Sequence, residues 1–130
     1  MSDLAKVDTA RVGTTAVVRV IGELDLSNAR AVTDGVSHSV PEQVTLAVLD
    51  LTGTTFLDSA AVASLFRLAE RLRDRRQELR LVVPRAAPIR AVIELTRLSQ
   101  VVPVDEGPPD LLDTARAYAA LPPSPGQAAP

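Results

Sequence analysis

The segment Val44–Leu51 constrains the fold of this chain more than any other part of its sequence. It is the most apolar strand-like segment, and amphipathic helical patterns precede and follow it. A strand with apolar residues at consecutive positions is typical of the centre of a sheet whose two faces are both covered. The segment therefore predicts an α/β protein in which helices pack against a sheet.

A hairpin is predicted in the N-terminal part of the chain. Ala16–Gly22 is rich in β-branched residues, which favour strands. The preceding segment Leu4–Val12 alternates enough to pair with it across Gly13-Thr14. We therefore expect the sheet to start with an antiparallel pair of strands.

Helical and strand patterns alternate after this hairpin. A helix is expected to begin after Ser27 or Asn28 and to end at Pro41, and the longest helix is expected to extend from Ser59 to about Arg76. The later predicted elements are the strand Leu79–Val83, a helix that begins near Pro88, the short strand Val101–Val104 and a helix that opens at Pro108-Pro109-Asp110.

Two finer expectations concern the loops and the final helix. Residues 52–55, Thr-Gly-Thr-Thr, are predicted to form a polar loop. The residues of the final helix that are expected to face inward are Leu111, Leu112, Ala115 and Ala119.

The order of elements predicts the fold class. It is an α/β fold with a mixed, largely parallel β-sheet, an N-terminal hairpin and about four helices. The 130 residues fit one domain, expected over 1–121, followed by a Pro- and Ala-rich tail, 122–130, that is expected to be disordered. Ligands and partners of such sheets meet the carboxyl ends of the strands. The loops there are 22–27, 51–58 and 84–88.

Composition excludes several classes of site. There is no cysteine and one histidine, His38, so we expect no thiolate metal site and no bound cofactor. The densest basic group, within Arg67–Arg76, is interspersed with acids and lacks aromatic partners, so nucleic-acid binding is not expected. No apolar run approaches the ~20 residues that span a bilayer. With no signal-peptide pattern at the N-terminus, the expected location is the cytoplasm, without membrane attachment.

Acidic and hydroxyl residues gather in two of the loops at this edge of the sheet. Either Asp58 or Ser59 could cap the long helix, because both side chains accept hydrogen bonds from free backbone N–H groups. Asp25 could simply form a turn before Ser27. From the residues alone, these structural roles and a functional role remain open.

Enzyme chemistry finds little support in the sequence. Asp50 ends a central strand, as a receiver-type phosphoacceptor would. That site also needs an earlier acidic pair for a cation and a Lys after a later strand, whereas the only Lys is Lys6. A hydrolase triad would have to use His38, and no G-x-S-x-G motif is present. We therefore expect a protein that is not an enzyme.

The motifs, taken together, resemble a STAS domain. They are Gly22-Glu23-Leu24-Asp25 after an early strand, the central strand Val44–Leu51, and Phe56-Leu57-Asp58-Ser59 at the start of the long helix. The second half is similar as well, through Leu79–Val83, Ile89–Thr96 and Val101–Val104. The resemblance covers about residues 4–116. STAS domains of this size that stand alone are most often bacterial anti-sigma factor antagonists.

This resemblance implies partner switching in transcription regulation. The unphosphorylated antagonist binds an anti-sigma factor that is also a serine kinase and thereby frees a sigma factor. Phosphorylation of Ser59 would end binding, and a PP2C-type phosphatase would restore it. The positions that correspond to the family's partner-binding surface are Asp25, Thr55, Asp58, Ser59, Ala60 and Ala61.

One position departs from the family pattern, which often has Ser or Thr and then Gly after the phosphorylated Ser. This chain has Ala60-Ala61, whose small side chains still permit close approach of a partner. The resemblance leaves two alternatives open. The chain could be a STAS subunit of a transport or lipid-trafficking assembly in which Ser59 is structural, or a module that senses a small ligand.

Overall fold

The computed structural model describes residues 5–123. In this part of the chain, β-branched and aliphatic runs form the strands β1 (Ala5–Val12), β2 (Thr15–Leu24), β3 (Leu46–Asp50), β4 (Thr54–Leu57), β5 (Glu78–Val82) and β6 (Val104–Asp105). The helices are α1 (Ala29–Ser39), α2 (Ser59–Asp74), α3 (Arg90–Leu95) and α4 (Leu112–Ala120), with a short 3-10 turn at Leu98–Gln100. Residues 124–130 of the predicted tail lie outside the described part of the chain, as do residues 1–4.

The sheet is mixed and largely parallel, as predicted. Strands β1 and β2 form the antiparallel hairpin, in which Val12 pairs with Thr15 across the turn. The strand order is β1-β2-β3-β5-β6, and all pairs after the hairpin are parallel. Every residue of β3 is buried, which confirms the central position that its apolar sequence predicted.

Strand β4 corrects the second half of the polar loop predicted at 52–55, whose first half, Thr52-Gly53, is a turn. The first half of β2, Thr15–Arg19, pairs with β3, and its end, Gly22–Leu24, pairs with β4. β2 extends past the end of β3 and therefore offers unpaired backbone groups to the next segment. Thr54 is buried because its hydroxyl donates to the Val20 carbonyl oxygen at 2.8 Å. The Thr54 hydroxyl thus serves strand pairing rather than solvation.

The two faces of the sheet carry cores of unequal size. Alternate side chains of β3 point to opposite faces, with Ala47 and Leu49 in the larger core. Helices α1, α2 and α3 cover this face, and Leu65, Leu68 and Leu72 of α2 are almost fully buried there. The smaller core contains Val17, Leu46, Val48, Val82, Ala117 and Leu121. Helix α4 is therefore the cover of the second face.

The inward face predicted for the last helix is wrong. Leu111 and Leu112 are 51% and 65% exposed, and Ala115 and Ala119 are also exposed. The buried residues are Thr114 and Ala117, followed by Leu121. The small side chains of Thr114 and Ala117 let α4 pack closely on the sheet, whereas the larger apolar side chains at the start of the helix stay exposed.

The start of the last strand also differs from the prediction. The predicted strand Val101–Val104 begins only at Val104, because Leu98 turns inward from the 3-10 turn and Val102 is already buried before the strand starts.

None of the helices between residues 5 and 123 is long and apolar enough to cross a membrane.

Candidate functional site

The N-terminus of α2 is fixed by one side chain that makes two hydrogen bonds. Asp58 lies between β4 and α2 in extended backbone geometry. Its Oδ1 accepts from the Ala61 N–H at 2.9 Å, which is the capping bond, and its Oδ2 accepts from the Leu26 N–H at 3.0 Å. Asp58 is therefore the helix cap, and it also holds the β2–α1 loop against the start of α2.

The Ser59 hydroxyl is not needed for this cap. Ser59 is the first residue of α2 and its side chain is exposed. Because Asp58 supplies the cap, the Ser59 hydroxyl is not required to complete the helix. It lies at the positive end of the helix dipole, where an anionic group is well tolerated. The geometry thus assigns the capping role, which the sequence left open between the two residues, to Asp58.

The β2–α1 loop is held by its own hydrogen bonds. Asp25 Oδ1 accepts from the Ser27 N–H at 2.8 Å, which is the Asx-type turn expected there. The Asp25 N–H donates to Asn28 Oδ1 at 2.9 Å, and Asn28 Nδ2 donates to the Glu23 carbonyl oxygen at 2.8 Å. Asn28 is buried, and its two hydrogen bonds define the shape of this loop.

These two loops enclose an open depression of about 420 Å³. Its lining consists of Asp25, Leu26, Ser27, Phe56 and Asp58. Leu26 is 82% exposed and Phe56 is 47% exposed, and both are large apolar side chains. Exposed apolar residues beside polar ones are typical of protein-binding surfaces. We refer to the depression together with Ser59 as the docking surface.

The remaining predicted site residues occupy different environments. Thr55 is exposed on β4, where its hydroxyl donates to the Gly22 carbonyl oxygen at 3.3 Å, and Ala60 is half-buried next to Ser59. Ala61 is only 1% exposed, because its methyl group packs in the larger core. The Ala61 side chain therefore does not lie on the surface with the others, and its place among the partner-binding residues is not supported.

Leu26 and Phe56 are the residues that sequence reasoning did not select. In the sequence, Phe56 stands out only as part of the motif Phe56-Leu57-Asp58-Ser59, and Leu26 belongs to no motif singled out above. Leu26 belongs to neither the strand before it nor the helix after it, so no buried face requires its side chain. An apolar residue in a polar loop, outside either periodicity, is the feature that could have indicated it.

Asp50, the alternative phosphoacceptor, is enclosed. It is 5% exposed; its Oδ1 accepts from the Thr52 N–H at 2.8 Å, and its Oδ2 accepts from the Tyr118 hydroxyl at 2.5 Å. Burial and this hydrogen bond raise the pKa of Tyr118 above its ordinary value of 10.0. A phosphoacceptor must be reachable by its donor, and α4 covers this carboxylate.

Oxygen and nitrogen ligands for a metal ion are not gathered anywhere in the part of the chain that the structure describes. Within residues 5–123, no three His, Asp or Glu side chains come together in a group that could hold an ion. His38 is exposed near the end of α1, where its Nδ1 lies 2.8 Å from the Asp34 carbonyl oxygen.

Comparison with known proteins adds a family match and several structural neighbours. The sequence pattern of the STAS domain matches residues 6–109. An anti-sigma factor antagonist from Mycobacterium paratuberculosis is 26% identical, with a TM-score of 0.70 over 92% of this chain and 97% of the other. No curated protein matches this chain in sequence.

Two more distant neighbours share the fold alone. The unphosphorylated form of the Bacillus anti-sigma factor antagonist SpoIIAA is 21% identical, with a TM-score of 0.62 over 76% of this chain and 87% of the other. Part of the murine anion transporter Slc26a9 is 18% identical, with a TM-score of 0.65 over 83% of this chain and 18% of the transporter. Both a small regulator and one domain of a transporter are thus similar to this chain in fold.

Proposed function

This chain belongs to the STAS-domain family, and from that premise we propose that it is an anti-sigma factor antagonist switched by phosphorylation of Ser59. In the unphosphorylated form it binds an anti-sigma factor that is also a serine kinase, and a bound sigma factor is released. The kinase transfers the γ-phosphoryl group of ATP to the Ser59 oxygen, with loss of the hydroxyl proton and release of ADP. A PP2C-type phosphatase hydrolyses the phosphoserine and restores binding.

The observation that carries the proposal is the exposed Ser59 hydroxyl beside exposed apolar side chains. A kinase requires an accessible acceptor, and a protein partner requires apolar surface to bury. Leu26 and Phe56 supply the apolar surface of the depression, and the exposed Ser59 directly follows Asp58, which lines the same depression. The likeness to the mycobacterial antagonist, which extends over nearly the whole of both chains, supports the same role.

Charge is the physical basis of the proposed switch. Phosphorylation adds about −1.5 to −2 charge at neutral pH. The free N–H groups at the start of α2 tolerate this charge, so the fold itself should stay intact. At the docking surface, Asp25 and Asp58 already supply two carboxylates. Burying a dianion there against a partner shaped for a hydroxyl costs several kcal/mol, and each 1.4 kcal/mol is a factor of ten in affinity.

The proposed role is that of a binding protein rather than an enzyme, acting in the bacterial cytoplasm where sigma factors act. To test this role, the full chain is incubated with ATP and with each purified anti-sigma factor kinase from the organism that encodes the chain. Intact mass then shows whether one phosphoryl group is added. We expect one kinase to bind the chain and to modify it once.

Ser59→Ala is the decisive variant, because Ser59 is exposed and does not cap α2. It should fold as the wild type does and bind the kinase, yet gain no phosphoryl group. Ser27→Ala, another exposed serine of the docking surface, is the matched control and should still be modified. If Ser59→Ala is phosphorylated as fast as the wild type, the proposed acceptor is wrong.

A further inference from the structure

A second depression lies next to the docking surface, between β1 and α1. It has a volume of about 460 Å³. We refer to it as the β1–α1 groove, and its lining residues are Ala5, Val7, Thr9, Ser27, Asn28, Ala31, Val32, Gly35 and Ser39. None of these residues is charged, and Val7 is 40% exposed. The groove therefore suits an apolar, uncharged occupant.

Gly35 is a residue that the fold of this chain does not require. It lies inside α1, where glycine is less favourable than alanine by about 1 kcal/mol. A Cβ atom placed at Gly35 would meet no heavy atom within 4 Å, so no neighbouring segment needs the space. Glycine in such a place permits close approach by something outside the chain.

The groove is continuous with the docking surface. Ser27 lines both depressions, and Leu26, which precedes it, is the most exposed apolar side chain of the docking surface. A stable protein–protein interface involves about 20–30 residues of each partner. The docking surface has six residues, so a partner seated on Ser59 must cover neighbouring surface as well. The groove is an adjoining surface without charged groups, as the core of an interface requires.

We propose that the β1–α1 groove is a second part of the partner interface and receives an apolar segment of the same anti-sigma factor that docks at Ser59. This inference rests on the proposed function. The two parts have separate tasks. The groove supplies affinity that does not depend on phosphorylation, and Ser59 supplies the switch.

The test fills the groove without touching the docking surface. Gly35→Leu places a large side chain in it, and Val7→Ser removes apolar surface from its opposite wall. The binding constant for the purified anti-sigma factor kinase that binds the wild type is then measured. We expect Gly35→Leu to weaken binding at least about tenfold and Val7→Ser to weaken it severalfold. The ratio of affinities before and after phosphorylation should stay as in the wild type.

Matched controls lie on α4, which packs on the other face of the sheet. Ala119→Leu adds a large side chain at an exposed helical position, and Leu112→Ser removes an exposed apolar side chain. Both should bind the kinase as the wild type does. Thermal unfolding of all four variants verifies that each is folded, and Val7→Ser tests the groove independently if Gly35→Leu does not fold.

Each other result overturns the inference in a distinguishable way. Wild-type affinity in both groove variants would show that the partner does not enter the groove. A wild-type dimer that Gly35→Leu dissociates would make the groove a contact between copies of this chain. A small molecule that co-purifies with the wild type and not with Gly35→Leu would make it a ligand site. If no anti-sigma factor kinase binds the wild type, the proposed function fails together with the groove.

Discussion

At the scale of single residues, Asp58 decides how the site can work. One carboxylate oxygen caps α2 and the other holds the Leu26 backbone, so the two loops of the docking surface share one anchor. Because this anchor is complete without Ser59, a change of charge at the Ser59 hydroxyl need not disturb the fold. The arrangement permits a rigid surface whose chemistry alone is altered.

Replacing Asp58 should show how much these two hydrogen bonds contribute to the stability of the fold. Asp58→Ala removes both and should lower the free energy of unfolding by about 1–2 kcal/mol, since loss of a helix cap alone costs about 1 kcal/mol. Asp58→Asn keeps one acceptor oxygen for the cap and should fall between alanine and the wild type. Urea unfolding measures all three. Equal stability of Asp58→Ala and the wild type would refute the anchoring role.

Tyr118 gives a prediction about pH. Its raised pKa means that the neutral phenol is favoured in the folded chain, so its contribution to stability is present below pH about 10 and is lost as the pH rises above that value. Tyr118→Phe should lower the free energy of unfolding by about 1–3 kcal/mol at neutral pH, because buried Asp50 loses a donor.

Tyr118 is the only tyrosine of the chain, so tyrosinate absorbance reports on it alone. In the folded protein this absorbance should increase only above pH 10. Between neutral pH and pH about 11, the stability of the phenylalanine variant should fall less than that of the wild type. Ionisation of the folded protein at the ordinary pKa of tyrosine would contradict the enclosed hydrogen bond to Asp50.

At the scale of elements, the length of β2 places the site. Its first half pairs with β3 and its end pairs with β4, which brings Leu24 of β2 beside Leu57, two residues before Ser59. The register shifts between Gly22 and Glu23, and Gly22 adopts a φ of 113°, a region that other residues rarely occupy. This irregularity lets β2 change partners.

Gly22→Ala should therefore strain the backbone. We expect a loss of about 1–3 kcal/mol in the free energy of unfolding, together with weaker pairing of β4. Gly35→Ala is the matched control, because alanine in the middle of α1 should instead stabilise the chain by about 0.5–1 kcal/mol. Chemical denaturation of the two variants compares them. A stabilising Gly22→Ala substitution would show that the bulge is unstrained.

Elements with strong periodicity were predictable from the sequence, and those that depend on tertiary pairing were not. The hairpin, β3 and α2 follow from β-branched runs and from the spacing of apolar residues. β4 exists because β2 extends beyond β3, and no local pattern contains that fact. The buried face of α4 was misassigned because the second face accepts small side chains such as Ala117, whereas Leu112 looked more apolar.

The candidate site was predictable in part for the same reason. Parallel strands bring their carboxyl ends to one edge, so Asp25 and Asp58 were expected to be near each other, and both line the same depression. The division of roles between Asp58 and Ser59 depends on backbone angles at the start of α2, which sequence does not reveal. Ala61 was predicted to contact a partner because the resemblance to the family places it at the binding surface, but a helix turns successive residues to different sides, and Ala61 is buried.

At the scale of the whole molecule, the sheet separates a large core from a small one. Within residues 5–123, helices α1, α2 and α3 cover the face with the larger core, and α4 is the helix that covers the other face. The second face also carries polar contacts. The Tyr118 hydroxyl donates to the Asp50 carboxylate, and Arg19 forms an ion pair with Asp8 at 3.1 Å. The larger core therefore holds most of the buried apolar side chains of the described residues.

Native-state hydrogen exchange should show this inequality. Amides of α4 should exchange through an opening whose free energy is lower than that of β3 and β5, because few apolar side chains must be exposed when α4 detaches. Amides of α2 should exchange only with global unfolding. Identical protection of α4 and β3 would mean that the two cores unfold as one unit.

The most direct test of the whole account is the affinity of one purified anti-sigma factor kinase for the chain before and after stoichiometric phosphorylation of Ser59. We predict a loss of affinity of at least about a hundredfold, which corresponds to about 2.7 kcal/mol, with thermal stability of the free chain nearly unchanged. Equal affinity of the two forms would contradict the account.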